Sequence, residues 1–187
     1  MASTATFTPT NVASTTPLAT RVPSPSASPT HHRYRGEVAG FGDSIRLGAE
    51  PCLTPRKYII DAVAGRSFES GVVALNAAVD TLPKRVVIGL GTNGAFTAEQ
   101  FDGVMNTLAN RQVYWVNIHL PYEERYSFAN ALNGMLARQV AKYPNAHLIN
   151  WDLLADEHPE WLYDDHTHLR PETCEVYAQI IDSAVRE

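Results

Sequence analysis

The feature that most restricts the fold of this chain is a series of five short apolar runs separated by segments with helical periodicity. The runs are almost continuously hydrophobic, without polar alternation, which is typical of parallel strands covered on both faces. Strand–helix alternation at this spacing predicts an α/β fold, a three-layer α/β/α sandwich around a five-stranded parallel sheet. The runs are GEVAGFG, RKYIIDAV, RVVIGLG, RQVYWVNIHL and NAHLINW.

The segments between the runs carry helix signals of their own. Thr97 and Gln100 form a capping box ahead of an apolar stripe, and Pro171 is placed to open the last helix in its first turn. The stripes expected to face the sheet are Phe101, Val104, Met105 and Leu108; Phe128, Leu132, Met135 and Leu136; and Val176, Tyr177, Ile180, Ile181 and Ala184.

The first 35 residues have a different composition. Residues 1–30 are almost entirely Ala, Ser, Thr and Pro with one charged side chain, Arg21, and contain no apolar run long enough for a signal-peptide core or a membrane span. They offer too little apolar surface to offset the entropy of ordering, so we predict a disordered linker over residues 1–35 and a folded domain over residues 36–187. A linker at this position favours a chain that is part of a longer protein; a dispensable N-terminal tail is the alternative.

Charge and cysteine content exclude several classes of function. The net charge is −5 at a sequence pI of about 5.8, and no Lys/Arg cluster is present, so we expect no nucleic-acid surface. Cys52 and Cys174 lie far apart without a CxxC motif, which excludes a zinc ribbon and a thioredoxin site. They could form one disulfide in an exported protein or remain two buried thiols.

Polar residues gather where the first three runs end and ahead of the last helix, in FGDSI, DAVAGRS, GLGTNG and DDHTH. The carboxyl ends of parallel strands meet at one edge of the sheet, so these segments are expected to share a site. Ser44, at the start of a helix, would be a nucleophile whose own N–H faces an oxyanion. Considered alone, Asp43 or Ser44 is better explained as a helix N-cap. The nucleophile interpretation therefore depends on a base elsewhere in the chain.

The segment GLGTNG offers a different interpretation. Gly89, Gly91 and Gly94 satisfy the G-x-G-x-x-G pattern of dinucleotide sites. However, the motif follows the third strand and not the first, and the next strand ends without the acidic residue that would bind the ribose. A tight glycine turn, with Asn93 in an unusual backbone conformation, is the simpler structural explanation.

The segment LYDDHTHLRP is the one compact source of Asp and His side chains. Asp164 and Asp165 stand four and three positions before His168, and His166 is a second candidate base. These residues could also bind a metal, since His-x-His is a known ligand pair, but adjacent side chains rarely all converge on one ion. We expect no metal and no cofactor. Spacing alone leaves open which Asp and which His act together.

The ordered set of motifs resembles the four blocks of the SGNH (GDSL-type) hydrolase superfamily: GDS, a glycine after the second strand, GTNG and a terminal D-x-x-H. It is most similar to the extracytoplasmic SGNH domains fused to membrane acyltransferases of the acyltransferase-3 type, as in bacterial peptidoglycan O-acetyltransferases. The likeness covers residues 36–185 and implies an SGNH hydrolase fold, flavodoxin-like, with residues 36–187 as the catalytic domain. The segments that carry it are DAVAGRSF, LGTNGAF, FANALNGML and LINWDLLADEHPEWLYDDHTHLRPE.

The resemblance implies a role for each matching residue. Ser44 is the nucleophile, His168 is the base, and Asp165 orients the imidazole of that base. The N–H groups of Ser44 and Gly65, with the side-chain amide of Asn93, form the oxyanion hole.

The chain departs from the family pattern at three positions near this site. His166 stands where the D-x-x-H block usually has glycine, and Thr173 replaces the glycine of the following P-E-G. His119 follows the fourth strand in a position to which the resemblance assigns no role; it would line the acceptor side. These departures concern the acceptor more than the acyl chemistry.

The function implied by the resemblance is a serine-dependent O-acyl transferase, most readily an acetyltransferase, that works through an acyl-Ser44 intermediate. Its partners would be an acyl donor, a cell-envelope glycan or glycolipid acceptor, and an upstream membrane acyltransferase domain missing from this chain. The protein would then act outside the cytoplasm, tethered to the membrane, where a Cys52–Cys174 disulfide would connect two active-site elements. An SGNH esterase that hydrolyses acyl or acetyl esters of carbohydrate or lipid is the alternative enzyme, and an inert binding module is the alternative from another class.

Overall fold

The sheet and its connections follow the predicted order. The structure, a computed structural model, describes residues 37–187; the linker predicted for residues 1–35 lies outside the described residues. All five apolar runs form strands, and the strands pair in parallel in the order β2-β1-β3-β4-β5. They are β1 (Val38–Gly42), β2 (Tyr58–Ala62), β3 (Arg85–Gly89), β4 (Gln112–Val116) and β5 (Ala146–Ile149).

Helices cover both faces of the sheet, which makes the predicted three-layer sandwich. One face packs against α2, α3 and α4, and the other packs against α1, α5 and α6. The helices are α1 (Ser44–Leu53), α2 (Phe68–Ala78), α3 (Ala98–Thr107), α4 (Phe128–Val140), α5 (Trp151–Glu157) and α6 (Cys174–Arg186).

The central strands are apolar along most of their length because both of their faces are buried. In β3, Val86 and Ile88 pack into the core on the α2–α3–α4 side, whereas Val87 packs on the α1–α5–α6 side. In β4, Trp115 and Tyr114 divide between the two faces in the same way. Successive side chains of a strand point to opposite faces, so a strand between two helical layers needs hydrophobic residues at every position.

The helix signals in the sequence were largely correct. The capping box at Thr97 is present, with both reciprocal hydrogen bonds to Gln100, and α3 begins at the next residue. The whole predicted stripe of α3 is buried. In the predicted stripe of α4, Leu132 and Leu136 are buried, and the other two members pack partly buried against the same core.

The last helix differs from the prediction at its start and on its buried face. Pro171 lies in a short 3-10 turn, and α6 itself begins at Cys174. The reason is local: Thr173 turns back, donating its hydroxyl to the Trp161 carbonyl (2.8 Å) and its N–H to the Arg170 carbonyl (3.0 Å). The buried face is consequently rotated. Of the predicted residues, Tyr177 and Ile181 are buried, whereas Val176, Ile180 and Ala184 are only half-buried; Cys174, Ala178 and Val185 complete the face.

The two ends of the described chain meet at the amino edge of the sheet. Glu37, directly before β1, forms ion pairs with Lys57 (2.7 Å) and with Arg186 at the end of α6 (3.6 Å). All the carboxyl ends of the strands therefore lie at the opposite edge. In this strand order β2 and β3 flank β1, so the chain leaves β1 and β3 in opposite directions and a crevice opens between them.

Candidate active site

Ser44 is placed at the crevice by a tight turn from β1 into α1. Asp43 is the N-cap of α1, and its carboxylate accepts the Ile45 N–H at 3.1 Å. A Cβ on Gly42 would lie 2.2 Å from the Cβ of Arg46, so only glycine permits this turn. Ser44 is thus the first residue of a helix whose first N–H groups have no partner within the helix. These groups and the helix dipole favour negative charge beside the Ser44 hydroxyl.

The Ser44 hydroxyl is hydrogen-bonded to the imidazole that the sequence motif selected. The His168 Nε2 lies 2.9 Å from the Ser44 Oγ, and the His168 Nδ1 lies 2.7 Å from the Asp165 Oδ2. The three groups form one chain from carboxylate to imidazole to hydroxyl. This is the geometry a base needs in order to remove a proton from a serine.

The second oxygen of Asp165 fixes the loop that carries the imidazole. Its Oδ1 accepts the N–H groups of Thr167 and His168, each at 3.0 Å. Partial burial raises the pKa of the Asp165 carboxyl, but the N–H and imidazole of His168 and the N–H of Thr167 outweigh burial, so the pKa lies below its ordinary value. The carboxylate is therefore held ionised and can stabilise an imidazolium.

The other members of the Asp/His cluster are directed elsewhere. Asp164 is fully exposed and pairs with Arg170 (3.1 Å). His166 has a left-handed backbone, with φ at 49°, and its N–H donates to the Tyr163 carbonyl at 2.9 Å. Spacing allowed either aspartate and either histidine of this segment. In the structure, the carboxylate that meets the His168 imidazole is that of Asp165. Within residues 37–187, no three His, Cys, Asp or Glu side chains are grouped as ligands for a metal ion.

The residues expected to stabilise an oxyanion line the same cleft as Ser44 and His168. This cleft has a volume of about 760 Å³, and its walls include Gly65 and Asn93. Gly65 follows β2 with φ at 72°, where a side chain would be strained. The Asn93 amide donates to the carbonyl of Arg66 at 3.3 Å, which ties the loop after β3 to the loop after β2. The Arg66 guanidinium in turn pairs with the Asp61 carboxylate at 2.6 Å.

The glycine motif after β3 serves this cleft. Gly91 and Gly94 adopt φ values of 128° and 138°, so the glycines permit the turn. Asn93 is not among the described residues with positive φ, and the unusual backbone expected for it was wrong. A Cβ on Gly91 would approach Leu132 to 2.9 Å, a packing restriction unrelated to nucleotide binding. The motif ends before Thr97 caps α3, so its last glycine does not open a helix as a dinucleotide fingerprint does.

Two charged residues behind Ser44 are buried, which the sequence did not predict. Arg46 is fully buried on the inner face of α1, beside the glycines of β1 and β3, and its guanidinium lies 5.8 Å from the ring centroid of Tyr177. The residues 37–187 provide no hydrogen-bond partner for its guanidinium nitrogens. Asp43 is 1% exposed, and burial raises the pKa of its carboxyl, with the Ile45 N–H, Thr92 and the charge of Arg46 acting in the opposite direction. A sequence signal was available only for Asp43, as an N-cap.

His119 belongs to a second polar network at the end of β4. Its Nδ1 lies 3.0 Å from the Asp152 Oδ1, and the Asn133 amide donates to the other oxygen of Asp152 at 3.1 Å. Asn133 also exchanges hydrogen bonds with the N–H and C=O of Ile118 (3.1 and 2.8 Å). Asn133 lies in the segment FANALNGML, which carried the resemblance without singling out this residue; it fixes the chain as it leaves β4. Asp152 carried no sequence signal.

The two cysteines form a disulfide, with an S–S distance of 2.04 Å. Cys52 lies near the end of α1, the helix that begins at Ser44, and Cys174 begins α6, six residues after His168. The bond therefore connects the two parts of the chain that carry Ser44 and His168. An ion pair between Arg56 and Glu175 lies beside it.

Comparison with known proteins agrees with the fold described above. No protein-family model matches the chain. The C-terminal catalytic domain of Streptococcus pneumoniae peptidoglycan O-acetyltransferase A (OatA), solved with a methylsulfonyl adduct, superposes with a TM-score of 0.72 at 22% identity over 81% of this chain and 93% of that one. A GDSL-like lipase from Bacteroides thetaiotaomicron superposes with a TM-score of 0.65 at 18% identity over 80% and 87%. The chain therefore has the fold of these two domains.

The sequence relatives are much longer proteins that are named O-acetyltransferases. O-acetyltransferase OatA of Staphylococcus aureus (strain NCTC 8325) is 28% identical over 134 residues, 69% of this chain and 22% of the relative. The chain spans about a quarter of the length of the curated relatives it matches. Among the residues described here, no helix is both long and apolar enough to cross a membrane. The chain thus matches a limited part of larger proteins.

Proposed function

We propose that this SGNH-type domain is a serine-dependent O-acetyltransferase that transfers an acyl group to a hydroxyl of a cell-envelope glycan. The observation that carries the proposal is the chain Asp165–His168–Ser44, which ends at a hydroxyl on a helix N-terminus inside an open cleft. The preference for acetyl and for a glycan acceptor rests on the similarity to proteins named peptidoglycan O-acetyltransferase.

The first half of the reaction would form an acyl-enzyme. The Ser44 Oγ attacks the carbonyl carbon of the donor ester while the His168 Nε2 takes the hydroxyl proton. The charge that develops on the carbonyl oxygen is stabilised by the N–H groups of Ser44 and Gly65 and by the Asn93 amide. The imidazolium then gives its proton to the leaving oxygen, the ester bond breaks, and the acyl group stays on Ser44.

The second half would repeat these steps with the acceptor. An acceptor hydroxyl gives its proton to the His168 Nε2 and attacks the acyl carbon. Collapse of the intermediate releases the new ester, and the proton returns to the Ser44 Oγ. Asp165 stays ionised throughout and stabilises each imidazolium, consistent with its lowered pKa.

An esterase is the second candidate, and one observation favours it. The His168 and Asp165 side chains are 46% and 50% exposed, so water can reach the base and replace a sugar hydroxyl as acceptor. Transfer therefore requires that an acceptor outcompete water at the same position. The transferase and the esterase would use the same triad; they would differ in whether an acceptor binds near the cleft. A binding module without catalysis would not need the hydrogen-bonded chain Asp165–His168–Ser44.

Partners and location are part of the proposal. The relatives are about four times longer than the matched part, which leaves room in such proteins for a membrane acyltransferase domain that supplies the acyl group. The disulfide suits an oxidising compartment outside the cytoplasm. We propose that the full protein is anchored in the membrane with this domain outside it.

The test is a pair of measurements on wild type and Ser44→Ala. With p-nitrophenyl acetate as donor, we expect Ser44→Ala to lose turnover while its circular dichroism and Tm stay unchanged. With N-acetylglucosamine oligosaccharides added, we expect acetylated sugar as well as free acetate from wild type. Retained turnover in Ser44→Ala would overturn the nucleophile, and free acetate alone with every acceptor would favour the esterase.

A further inference from the structure

A second groove adjoins the catalytic cleft, and His166 lies in the wall that they share. The groove has a volume of about 270 Å³, and Tyr122, Asp156, Pro159 and His119 line it together with His166. His166 also lines the cleft that contains Ser44. The two cavities are therefore neighbours, and a ligand long enough to extend from one to the other would pass His166.

The residue between the cavities is held in position by its backbone. The N–H of His166 donates to the Tyr163 carbonyl (2.9 Å), and the residue keeps a left-handed φ of 49°. This conformation is uncommon for a residue other than glycine and persists only where its surroundings support it. The imidazole is thus kept at the border of the two cavities.

The walls of the groove combine an exposed aromatic ring with hydrogen-bonding groups. Tyr122 is 82% exposed, an unusual position for a large ring, and its hydroxyl donates to the Asp156 Oδ1 at 3.3 Å. Asp156 raises the pKa of the Tyr122 hydroxyl, which therefore stays protonated. On the inner side, His119 is kept in one orientation by Asp152 at 3.0 Å.

This combination fits a sugar better than an acyl chain. A pyranose has an apolar face of C–H groups that can lie on an aromatic ring, and an edge of hydroxyls that both donate and accept. Asp156 can accept from such hydroxyls, and the imidazoles of His166 and His119 can donate or accept. An acyl chain would instead leave these polar groups desolvated and unpaired.

We propose that this groove binds a sugar unit of the acceptor glycan, next to the unit whose hydroxyl reacts at Ser44. The inference rests on the proposed transfer to a glycan. The glycan would run from the cleft, past His166, to the ring of Tyr122. Binding of the second unit would hold the acceptor hydroxyl at the acyl-enzyme in competition with water. Longer acceptors would then react better than single sugars.

The test compares acceptors of different length. With p-nitrophenyl acetate as donor and N-acetylglucosamine or its tetrasaccharide as acceptor, acetylated sugar is quantified by mass spectrometry. We expect wild type to prefer the tetrasaccharide in kcat/KM for acceptor. Tyr122→Ala should reduce that preference about fivefold to tenfold, whereas Tyr122→Phe, which keeps the ring, should retain most of it. Leu153→Ala, an exposed residue on α5 outside both cavities, is the control and should behave as wild type.

Other outcomes would overturn either the groove proposal alone or the proposed transfer as well. An unchanged length preference in Tyr122→Ala, or an equal loss for single sugar and tetrasaccharide, would overturn the groove proposal while leaving acetyl transfer in place. Hydrolysis of the ester by wild type without transfer to either sugar would overturn the proposed transferase, and the sugar site with it.

Discussion

Arg46 and Asp43 lie behind the nucleophile as two buried side chains of opposite charge that share no direct hydrogen bond. The Asp43 carboxylate is used to cap α1, through the Ile45 N–H, while the Arg46 guanidinium lies beside the β1 and β3 glycines. A buried charge without hydrogen bonds is costly, since it has lost its hydration and gained little in return. The turn that presents Ser44 is therefore built over an energetically expensive pair.

Replacing both buried charges together should raise stability. Exchange of a poorly compensated buried pair for uncharged side chains of similar size is often neutral or stabilising, by up to about 4 kcal/mol, whereas removal of one partner leaves the other charge uncompensated and typically costs about 3–5 kcal/mol. We expect the Asp43→Asn, Arg46→Met double variant to unfold at a Tm equal to or above that of wild type, and Arg46→Met alone to unfold at a lower Tm. The measurement is thermal unfolding by circular dichroism at neutral pH. A Tm of Arg46→Met alone above that of the double variant would contradict an interaction between the two charges.

The pH dependence of stability should change when Asp43 is replaced by asparagine. Burial raises the pKa of Asp43 in the folded state, so the free energy of unfolding falls as pH rises from the unfolded value of about 3.9 through the folded pKa. An asparagine at this position would still cap the helix but would not ionise. We therefore expect the stability of Asp43→Asn relative to wild type to increase between pH 4 and neutral pH in urea unfolding. Parallel curves would contradict a raised pKa.

The two adjacent aspartates provide a matched test of the triad. Asp165→Asn removes the charge beside His168 and disturbs the tautomer that accepts the Ser44 proton. By analogy with serine proteases we expect kcat to fall roughly 10³- to 10⁴-fold. Asp164→Asn changes an exposed carboxylate that pairs with Arg170, and its kcat should stay within about twofold of wild type, as expected for a surface pair. Steady-state turnover of an acetyl ester measures both; equal losses would exclude the assignment of Asp165.

The side-chain amide of Asn93 should raise kcat as one donor of the oxyanion hole. Loss of one oxyanion donor typically lowers kcat by about 10²- to 10³-fold, and we expect this for Asn93→Ala with little change in KM. Asn130→Ala, on the exposed face of α4, serves as the control for asparagine removal. The readout is the kcat against KM split with an acetyl ester. An effect confined to KM would place Asn93 in ground-state binding only.

Removal of the disulfide should lower stability without changing the fold. The bond joins residues 122 positions apart, and disulfides typically contribute on the order of 2–4 kcal/mol. For a domain of this length the Tm of the Cys52→Ser, Cys174→Ser double variant should fall by about 5–15 °C. Wild type with dithiothreitol is the matched control. Superimposable melting curves for oxidised and reduced protein would contradict a stabilising role.

The elements that the sequence predicted correctly are those with local causes. Continuous apolar runs mark buried parallel strands, and the capping box at Thr97 needs only residues within one turn. The pairing of Asp165 with His168 needed the resemblance to the D-x-x-H block, because Asp164 and His166 lie in the same tight loop and spacing did not choose between them. For Cys52 and Cys174 the sequence left pairing open, since their approach depends on how α6 packs on α1.

The features that escaped sequence reasoning depend on packing between distant segments. The buried face of α6 is set by the rotation that follows the Thr173 turn, and a helical stripe alone cannot fix that rotation. Arg46 looks like a surface residue in the sequence, and only glycines on two neighbouring strands make room for it inside. The Asp152–His119–Asn133 network joins three segments that meet only in the folded chain.

The position of Glu37, which lies directly before β1 and pairs with Arg186, also bears on how the domain can be presented to its surroundings. Any segment attached through residue 37 enters at the amino edge of the sheet, whereas Ser44 opens at the carboxyl edge, about one strand length or 15–17 Å further on. With the proposed membrane anchor attached at that end, the cleft would face away from the point of attachment. The proposed acceptor would then lie beyond the anchor instead of beside it.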